Sequence, residues 1–358
     1  MTSWRTTDIP TGLGVPLARY TTLRLGGPAR RFVDAVTVEA VVETVRAADR
    51  ADEPLLVVGG GSNLVVADTG LAGTAVRVGN TGITVERTGR QATALVTVAA
   101  GENWDGVVVR LLDEGLTGLE CLSGIPGLAG AVPVQNVGAY GVEIAERLVD
   151  VDLYDREAGV VREHVPIADL GLGYRTSALK GRDSAVVLRI RLELDDDPAG
   201  RGGPVRYAEL ATSLGVELGE RAPSARVRES VLALRASKGM VLDPDDHDTW
   251  SAGSFFTNPV LDAIPDQLRG REMPSWPQPD GRVKLSAAWL ISQSGFARGH
   301  RGPGGRTSLS TKHSLALTNR GDASTADLLA LAGEVRDGVR ERFGVTLVPE
   351  PVFVGCAL

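Results

Sequence analysis

Val57-Val58-Gly59-Gly60-Gly61-Ser62-Asn63-Leu64-Val65-Val66 places three glycines, a serine and an asparagine between two short β-branched runs. Consecutive glycines lose more backbone entropy on folding than any other residues, so a bare main chain must be needed there. The stretch before the loop reads as a βαβ-like opening. Arg31 to Val36 suits a strand, and Val38, Val41, Val42, Val45 and Ala48 fall at helical spacing behind Thr37 as N-cap. Leu55 to Val58 is the next strand. After the glycines come a second short apolar run and the turn Asp68-Thr69-Gly70, so the unit is strand–loop–strand.

That order discriminates among phosphate-binding loops. A Walker loop needs Gly-Lys-Ser/Thr opening a helix, and no lysine is present. A Rossmann loop needs Gly-x-Gly-x-x-Gly opening a helix, and both spacing and helix fail. Two readings stay open: a nest of backbone N–H groups that holds a diphosphate, with Ser62 and Asn63 adding donors, or a tight hairpin turn.

Further along, strands are expected at Thr74–Val78, Ile83–Arg87 and Ala92–Ala100, then a helix capped by Asn103 that buries Trp104, Val107, Val108 and Leu111. Residues 115–141 hold seven glycines in 27 positions. So long an irregular segment in a compact domain is usually functional. Strands resume at Leu148–Tyr154 and Ala185–Leu194. Residues 195–204, rich in Asp and Gly, read as an exposed linker. Ser224 opens a helix that stops near Gly239, and another spans Leu285–Ser294. The last helix starts at Ser324 with Asp327 completing a capping box, ends at Gly344, and leads into strands at Val345–Leu347 and Val352–Val354.

Composition sets the outer limits. The chain has 358 residues, 43% hydrophobic and 4% aromatic, with a formal charge of −7, so no basic face is implied and nucleic acid is not an expected partner. Cys121 and Cys356 show no metal spacing and read as buried thiols of a reducing compartment. The start MTSWRTTDIP has no apolar h-region and no run approaches a membrane span, so no secretory leader, no membrane insertion and a cytoplasmic location are expected. Oligomeric state is not encoded in any local pattern; a monomer is compatible with the sequence.

Four pieces in order resemble the UDP-N-acetylenolpyruvoylglucosamine reductase (MurB) family: GGGSNLV (Gly59–Val65), SGIPGLAGAVPVQNVGAYG (Ser123–Gly141), GYRTS (Gly173–Ser177) and AGSFFTNP (Ala252–Pro259), closed by Pro349-Glu350. The resemblance runs from about residue 13 to the end. It implies an α+β chain: a two-part FAD-binding region of the vanillyl-alcohol-oxidase (PCMH) type at 13–82 and 83–240, then a separate α+β substrate-binding domain at 241–344. The C-terminal strand within 345–358 would return to the FAD region. It also implies non-covalent FAD, NADPH as co-substrate, and reduction of the enolpyruvyl group of a UDP-sugar to UDP-N-acetylmuramate.

By the same resemblance Gly59, Gly60, Gly61, Ser62, Asn63 and Leu64 wrap the FAD diphosphate. Ser123, Gly124, Ile125, Pro126, Gly127, Gly130, Gln135, Asn136, Gly138 and Ala139 line the rest of the flavin. Arg175, Ser254 and Glu350 match the family's catalytic arginine, proton donor and acid. Tyr140, Lys238, Asn258 and Lys284 match polar substrate contacts, and Tyr207 matches a tyrosine of one subclass. Arg298 belongs to the basic, glycine-rich run 298–306, which is expected to approach a UDP or NADPH phosphate. The chain departs from the family pattern at Val348, where many members carry an acid, at 195–204, and in the extension before residue 13. Two rivals remain at this point: an oxidase on the same flavin scaffold, and a non-catalytic nucleotide-binding protein.

Overall fold

A computed structural model describes residues 12–87 and 92–358. The extension before residue 13 lies almost wholly outside the described residues. The described residues divide into two compact units, the first comprising 12–15, 29–60, 72–87 and 92–236, the second 16–28, 61–71 and 237–358.

In the first unit a four-stranded sheet runs in the order Gly12–Pro16, Pro28–Ala35, Leu71–Val78, Leu55–Val58. Leu55–Val58 lies parallel to Leu71–Val78, with Leu55 opposite Thr74. A parallel pair needs a crossover, which residues 59–70 supply, while the helix Val38–Arg50 connects Pro28–Ala35 to Leu55–Val58. Thr37 caps that helix by accepting the Ala40 N–H at 3.1 Å, and the expected face of Val41, Val42, Val45 and Ala48 is buried. A second sheet is antiparallel, in the order Val160–Pro166, Leu148–Asp155, Ala185–Asp196, Thr93–Ala99, Ile83–Arg87, with Leu116–Thr117 paired to the end of Ala185–Asp196. The helix Trp104–Asp113, capped by Asn103, contributes Trp104, Val107, Val108 and Leu111 to its core.

The expected linker at 195–204 is structured. Asp195 and Asp196 extend the long strand, and Arg201–Pro204 pairs with Arg221–Pro223. Arginines offset the acids: Arg147 contacts Asp195 at 3.0 Å, Arg87 contacts Asp196 at 3.2 Å, and Arg201 contacts Asp197 at 2.9 Å.

The second unit packs the helices Ala287–Gln293 and Thr325–Phe343 around Phe255, Phe256, Leu290, Leu331, Val335 and Phe343. The hairpin Thr307–Leu309/Leu317–Asn319 and a small three-stranded sheet belong to this unit. The strand Val352–Val354 lies parallel to Leu64–Val66, the run just after the triple glycine. The division therefore differs from boundaries at 82, 240 and 344. Segments 16–28 and 61–71 are tied into the C-terminal unit by long-range bonds that no local pattern reveals, such as Thr325 Oγ1 to the Val66 carbonyl at 2.6 Å and Asn319 Nδ2 to the Leu23 carbonyl at 3.0 Å. Val345–Leu347 is not a strand; Val345 and Leu347 are buried, but the segment joins no ladder among the described residues. Cys121 is buried as expected, whereas Cys356 is partly exposed.

Candidate active site

In the first unit the two glycine-rich segments meet. A Cβ on Gly60 would lie 2.5 Å from the Gly127 Cα, so only glycine permits that approach. A Cβ on Gly130 would lie 2.5 Å from the Ala100 side chain, where the Gly130 N–H donates to the Ala100 carbonyl at 2.8 Å. Trp104 fixes the loop from behind: its indole N–H donates to the Leu122 carbonyl and its backbone N–H to the Gly127 carbonyl, both at 3.1 Å. Gly124 donates its N–H to Asp105 at 2.6 Å, and Arg228 grips the same carboxylate through both nitrogens at 2.6 and 2.9 Å. Burial opposes the Asp105 charge, yet Arg228 and the Gly124 N–H hold its carboxyl below the ordinary range. Ser123 is fully buried and donates its hydroxyl to the Glu120 carbonyl at 2.7 Å.

Asn136, Tyr140 and Arg175, at φ 45°, 50° and 54°, are among the non-glycine residues that adopt positive φ. Each such residue costs about 1–3 kcal/mol, and strain of this kind gathers where function needs it. Asn136 is a clamp. Its amide donates to Glu143 at 2.7 Å and to the Gly173 carbonyl at 3.1 Å, and its oxygen accepts the Ala145 N–H at 3.2 Å. It therefore holds the GYRTS turn against Gln135–Ala139. Arg175 occupies the third position of the turn Gly173–Thr176, closed by a 3.0 Å bond from the Gly173 N–H to the Thr176 carbonyl. Its guanidinium donates to the Gly138 carbonyl at 2.6 Å and the Asn136 carbonyl at 3.4 Å, and stands 3.9 Å from Glu143. Ser177 anchors the turn by donating to the Val134 carbonyl at 2.6 Å.

Tyr140 packs edge-on against Tyr207, with ring centroids 5.6 Å apart, and burial pushes its hydroxyl up to about 12. Tyr207 is largely exposed, at the N-cap position of the helix Ala208–Leu214. Sequence reasoning passed over Arg235, at the end of the helix Ser224–Ser237, whose Nε would lie 3.4 Å from a Cβ on Gly124. Burial lowers its pKa, against the pull of Tyr140 and Asp105. A lone arginine in a helix carries no sequence signal for such a place.

In the second unit the segments that carry Ser254 and Glu350 are paired through their backbones. The Phe255 N–H donates to the Leu315 carbonyl at 2.8 Å, the Glu350 N–H to the Phe255 carbonyl at 2.9 Å, and the Thr257 N–H to the Val348 carbonyl at 3.0 Å. Phe255 and Phe256 are buried core side chains, so they fix the segment that carries Ser254, itself partly exposed. Pro349 and Pro351 stiffen the other side. Asn63 holds Glu350 as well, donating its amide to the Glu350 carbonyl at 3.4 Å and accepting the Val352 N–H at 2.9 Å. Gly61 is obligatory, because a Cβ there would lie 1.7 Å from the Tyr20 carbonyl oxygen. Ser62 and Leu64 flank Asn63, Leu64 heading the strand that pairs with Val352–Val354.

The remaining residues of this unit have mixed duties. Asn258 accepts the Ala287 N–H at 2.9 Å, beside Ser286, the N-cap of the helix Ala287–Gln293. Lys284 lies 5.7 Å over the Trp276 ring. Arg306, in the basic run, is gripped bidentately by Asp327 at 2.8 and 3.0 Å, which makes it part of a helix cap. Lys238 and Arg298 both act electrostatically on His313.

Comparison with known proteins decides what this arrangement belongs to. Residues 243–354 match the family model for the UDP-N-acetylenolpyruvoylglucosamine reductase C-terminal domain, and residues 29–164 match an FAD-binding domain. The chain is 59% identical to a UDP-N-acetylenolpyruvoylglucosamine reductase of Saccharopolyspora erythraea, covering 98% of this chain and 97% of that one. The chain belongs to the UDP-N-acetylenolpyruvoylglucosamine reductase family. A second member, from Thermobifida fusca, is 54% identical over 96% of this chain and 98% of its own. The crystal structure of the MurB reductase from Thermus caldophilus superposes with a TM-score of 0.64 at 25% identity, over 97% of this chain and 99% of that one. The expected fold class, an α+β chain with an FAD-binding region ahead of a reductase C-terminal domain, is the one observed.

The residues present fit an FAD. The backbone N–H groups of Gly60, Ile125 and Gly127 meet no protein acceptor among the described residues, and bare N–H groups in glycine-rich turns suit a diphosphate.

Proposed function

We propose that the chain catalyses the NADPH-dependent, FAD-mediated reduction of the enolpyruvyl group of UDP-N-acetylglucosamine enolpyruvate to UDP-N-acetylmuramate, a step of peptidoglycan precursor synthesis in the cytoplasm. Membership of the reductase family supports this reading. The observation that supports it most is the backbone pairing of Phe255–Thr257 with Val348–Glu350, which runs the chain that carries Ser254 beside the chain that carries Glu350.

Gly59 to Leu64 and the loop from Ser123 to Ala139 hold the cofactor, and when bound FAD supplies the two-electron carrier between nicotinamide and alkene. The protein's own residues handle charge and protons. Hydride arriving at the double bond leaves negative charge on the carbon that bears the carboxylate. Arg175 neutralises it, and its bonds to the Gly138 and Asn136 carbonyls leave it little freedom to reorganise. Ser254 donates its hydroxyl proton to that carbon and recovers one from solvent, so one hydride and one proton add across the bond. Glu350, kept protonated, donates a hydrogen bond to the developing enolate. Tyr140, Tyr207, Lys238, Asn258, Lys284 and Arg298 bind the sugar nucleotide.

The test is a steady-state assay with purified, FAD-loaded protein. Oxidation of NADPH that requires the enolpyruvyl UDP-sugar and yields UDP-N-acetylmuramate is the expected result. Peroxide release without the sugar would mark an oxidase instead, and colourless protein indifferent to NADPH would mark a non-catalytic binder.

A further inference from the structure

Glu143 lies just past the segment Ser123–Gly141, in a short antiparallel hairpin of Gly138–Ala139 with Val142–Glu143, where Glu143 stands opposite Gly138. Tyr140 and Gly141 turn the hairpin at φ 50° and 81°, the left-handed pair that a two-residue turn of this kind requires. The bare backbone of Gly138 lets two charged side chains converge over it. A Cβ there would lie 2.8 Å from the Glu143 Cγ and 3.0 Å from the Arg175 Nη1.

The two charges meet without closing. Glu143 Oε1 is 3.9 Å from Arg175 Nη1, longer than a hydrogen bond. Each group is held by something else. The Asn136 amide donates to Glu143 Oε2 at 2.7 Å, and the Glu143 N–H donates to the Glu146 carboxylate at 3.1 Å. The guanidinium is directed to the Gly138 and Asn136 carbonyls, and Lys180 Nζ donates to the Arg175 carbonyl at 3.0 Å. Asn136 thus keeps a carboxylate at a set distance from the arginine.

We propose that Glu143 sets ligand affinity through Arg175, as a resting counter-charge with which the carboxylate of the enolpyruvyl group must compete. The proposal rests on the functional reading above, in which Arg175 faces that end of the UDP-sugar. The Glu143 side chain is 38% exposed and that of Arg175 24%, so water screens part of their attraction. A unit charge about 4 Å away in a water-like medium changes binding by about fivefold. A ligand carboxylate can close on the guanidinium as a bidentate fork, which Glu143, tied to Asn136, does not do. The ligand therefore prevails, at a lower affinity than Arg175 alone would give it.

The test measures the dissociation constant of the enolpyruvyl UDP-sugar from its perturbation of the oxidised flavin spectrum, without NADPH, in FAD-loaded wild type and Glu143→Gln. Glutamine keeps an oxygen for the Asn136 amide and removes the charge, so Kd should fall roughly fivefold. UDP-N-acetylglucosamine, which lacks the carboxylate, should bind both proteins alike. In an Arg175→Ala background the gain from Glu143→Gln should vanish. A merely structural Glu143 would weaken both ligands when replaced. A Kd for the enolpyruvyl UDP-sugar that is unchanged or raised, a gain shared by UDP-N-acetylglucosamine, or a gain that survives without Arg175 would each overturn the proposal. Should Glu143→Gln not fold, Glu143→Asp takes its place: one methylene less draws the charge back from the guanidinium, Kd should again fall, and a Kd unchanged or raised would overturn the proposal. Wild type that binds the enolpyruvyl UDP-sugar yet fails to reduce it would refute the functional reading alone, because these binding constants need no turnover.

Discussion

At the scale of single residues, the proposed chemistry rests on Arg175, Ser254 and Glu350, and Gly60 sits where a Cβ would meet the Gly127 main chain. Ser254→Ala should leave flavin reduction by NADPH intact and slow transfer to the enolpyruvyl sugar by about 10²–10⁴-fold, the usual worth of a general acid. Rapid mixing separates the two half-reactions, and equal loss in both would make Ser254 a structural residue. Arg175→Lys keeps a charge but loses the fork that reaches the Gly138 and Asn136 carbonyls. Its expected cost is about 10²-fold in kcat with a smaller change in KM, since the charge it meets develops only in the transition state. Gly60→Ala drives a methyl against the Gly127 Cα, so purified protein should carry less flavin while keeping its far-ultraviolet dichroism. Full flavin occupancy would show that the loop yields without harm.

Among single residues, legibility was uneven. The strand–loop–strand reading around Gly59–Gly61 was correct, because strand runs and turn residues are local signals. The reason for each glycine was not legible. Gly60, Gly61 and Gly130 are required by another stretch of main chain or a methyl pressed against them, which looks the same in sequence as open space for a ligand. The double use of Asn63, as loop residue and as holder of the Glu350 carbonyl, depends on a contact across 287 positions.

At the scale of elements, the helix Thr325–Phe343 gives the sharpest test. Ser324 and Asp327 form the expected capping box, with the Asp327 N–H donating to the Ser324 hydroxyl oxygen at 3.1 Å and the Ser324 N–H to the Asp327 carboxylate at 2.8 Å. Asp68 adds a second carboxylate, accepting the N–H groups of Thr325 and Ala326 at 2.8 and 3.0 Å, where the helix dipole favours negative charge. Ser324→Ala should lower stability by about 1 kcal/mol, read from denaturant midpoints. Arg306 first, then Ser324, hold the Asp327 carboxyl well below its ordinary value. A depressed carboxyl contributes stability above its unfolded pKa and loses it as pH falls through the folded one. Asp327→Asn should therefore destabilise at neutral pH, and its deficit should shrink as the solution is acidified below the ordinary carboxylate range. A deficit that persists unchanged in acid would assign the effect to packing.

The elements also show why 195–204 misled. Its acids and glycines match the composition of a solvated linker, but whether a strand forms depends on what lies opposite. Asp195 is paired with Thr93 and Thr117, and Arg147, just before the strand Leu148–Asp155, offsets its charge. Val345–Leu347 shows the converse. Its alternation of buried and exposed residues is that of a strand, and no neighbour among the described residues completes it.

At the scale of the whole molecule, the two units are not consecutive in sequence, and this was the least legible feature. The segments 16–28 and 61–71 contribute Leu23, Leu25 and Val65 to the C-terminal core, a role that hydrophobicity alone does not distinguish from service in the sheet they flank. The family, in contrast, was legible from four short motifs, because their order and separation together are specific. Among the described residues no helix is long and apolar enough to cross a membrane.

If protein-bound FAD relays electrons from NADPH to the enolpyruvyl UDP-sugar, both half-reactions must be visible in the absorbance of the purified protein under strict anaerobiosis. NADPH should bleach the flavin band, and the enolpyruvyl UDP-sugar alone should then restore it with formation of UDP-N-acetylmuramate. A band that NADPH leaves untouched, or one that only oxygen restores, would contradict the relay.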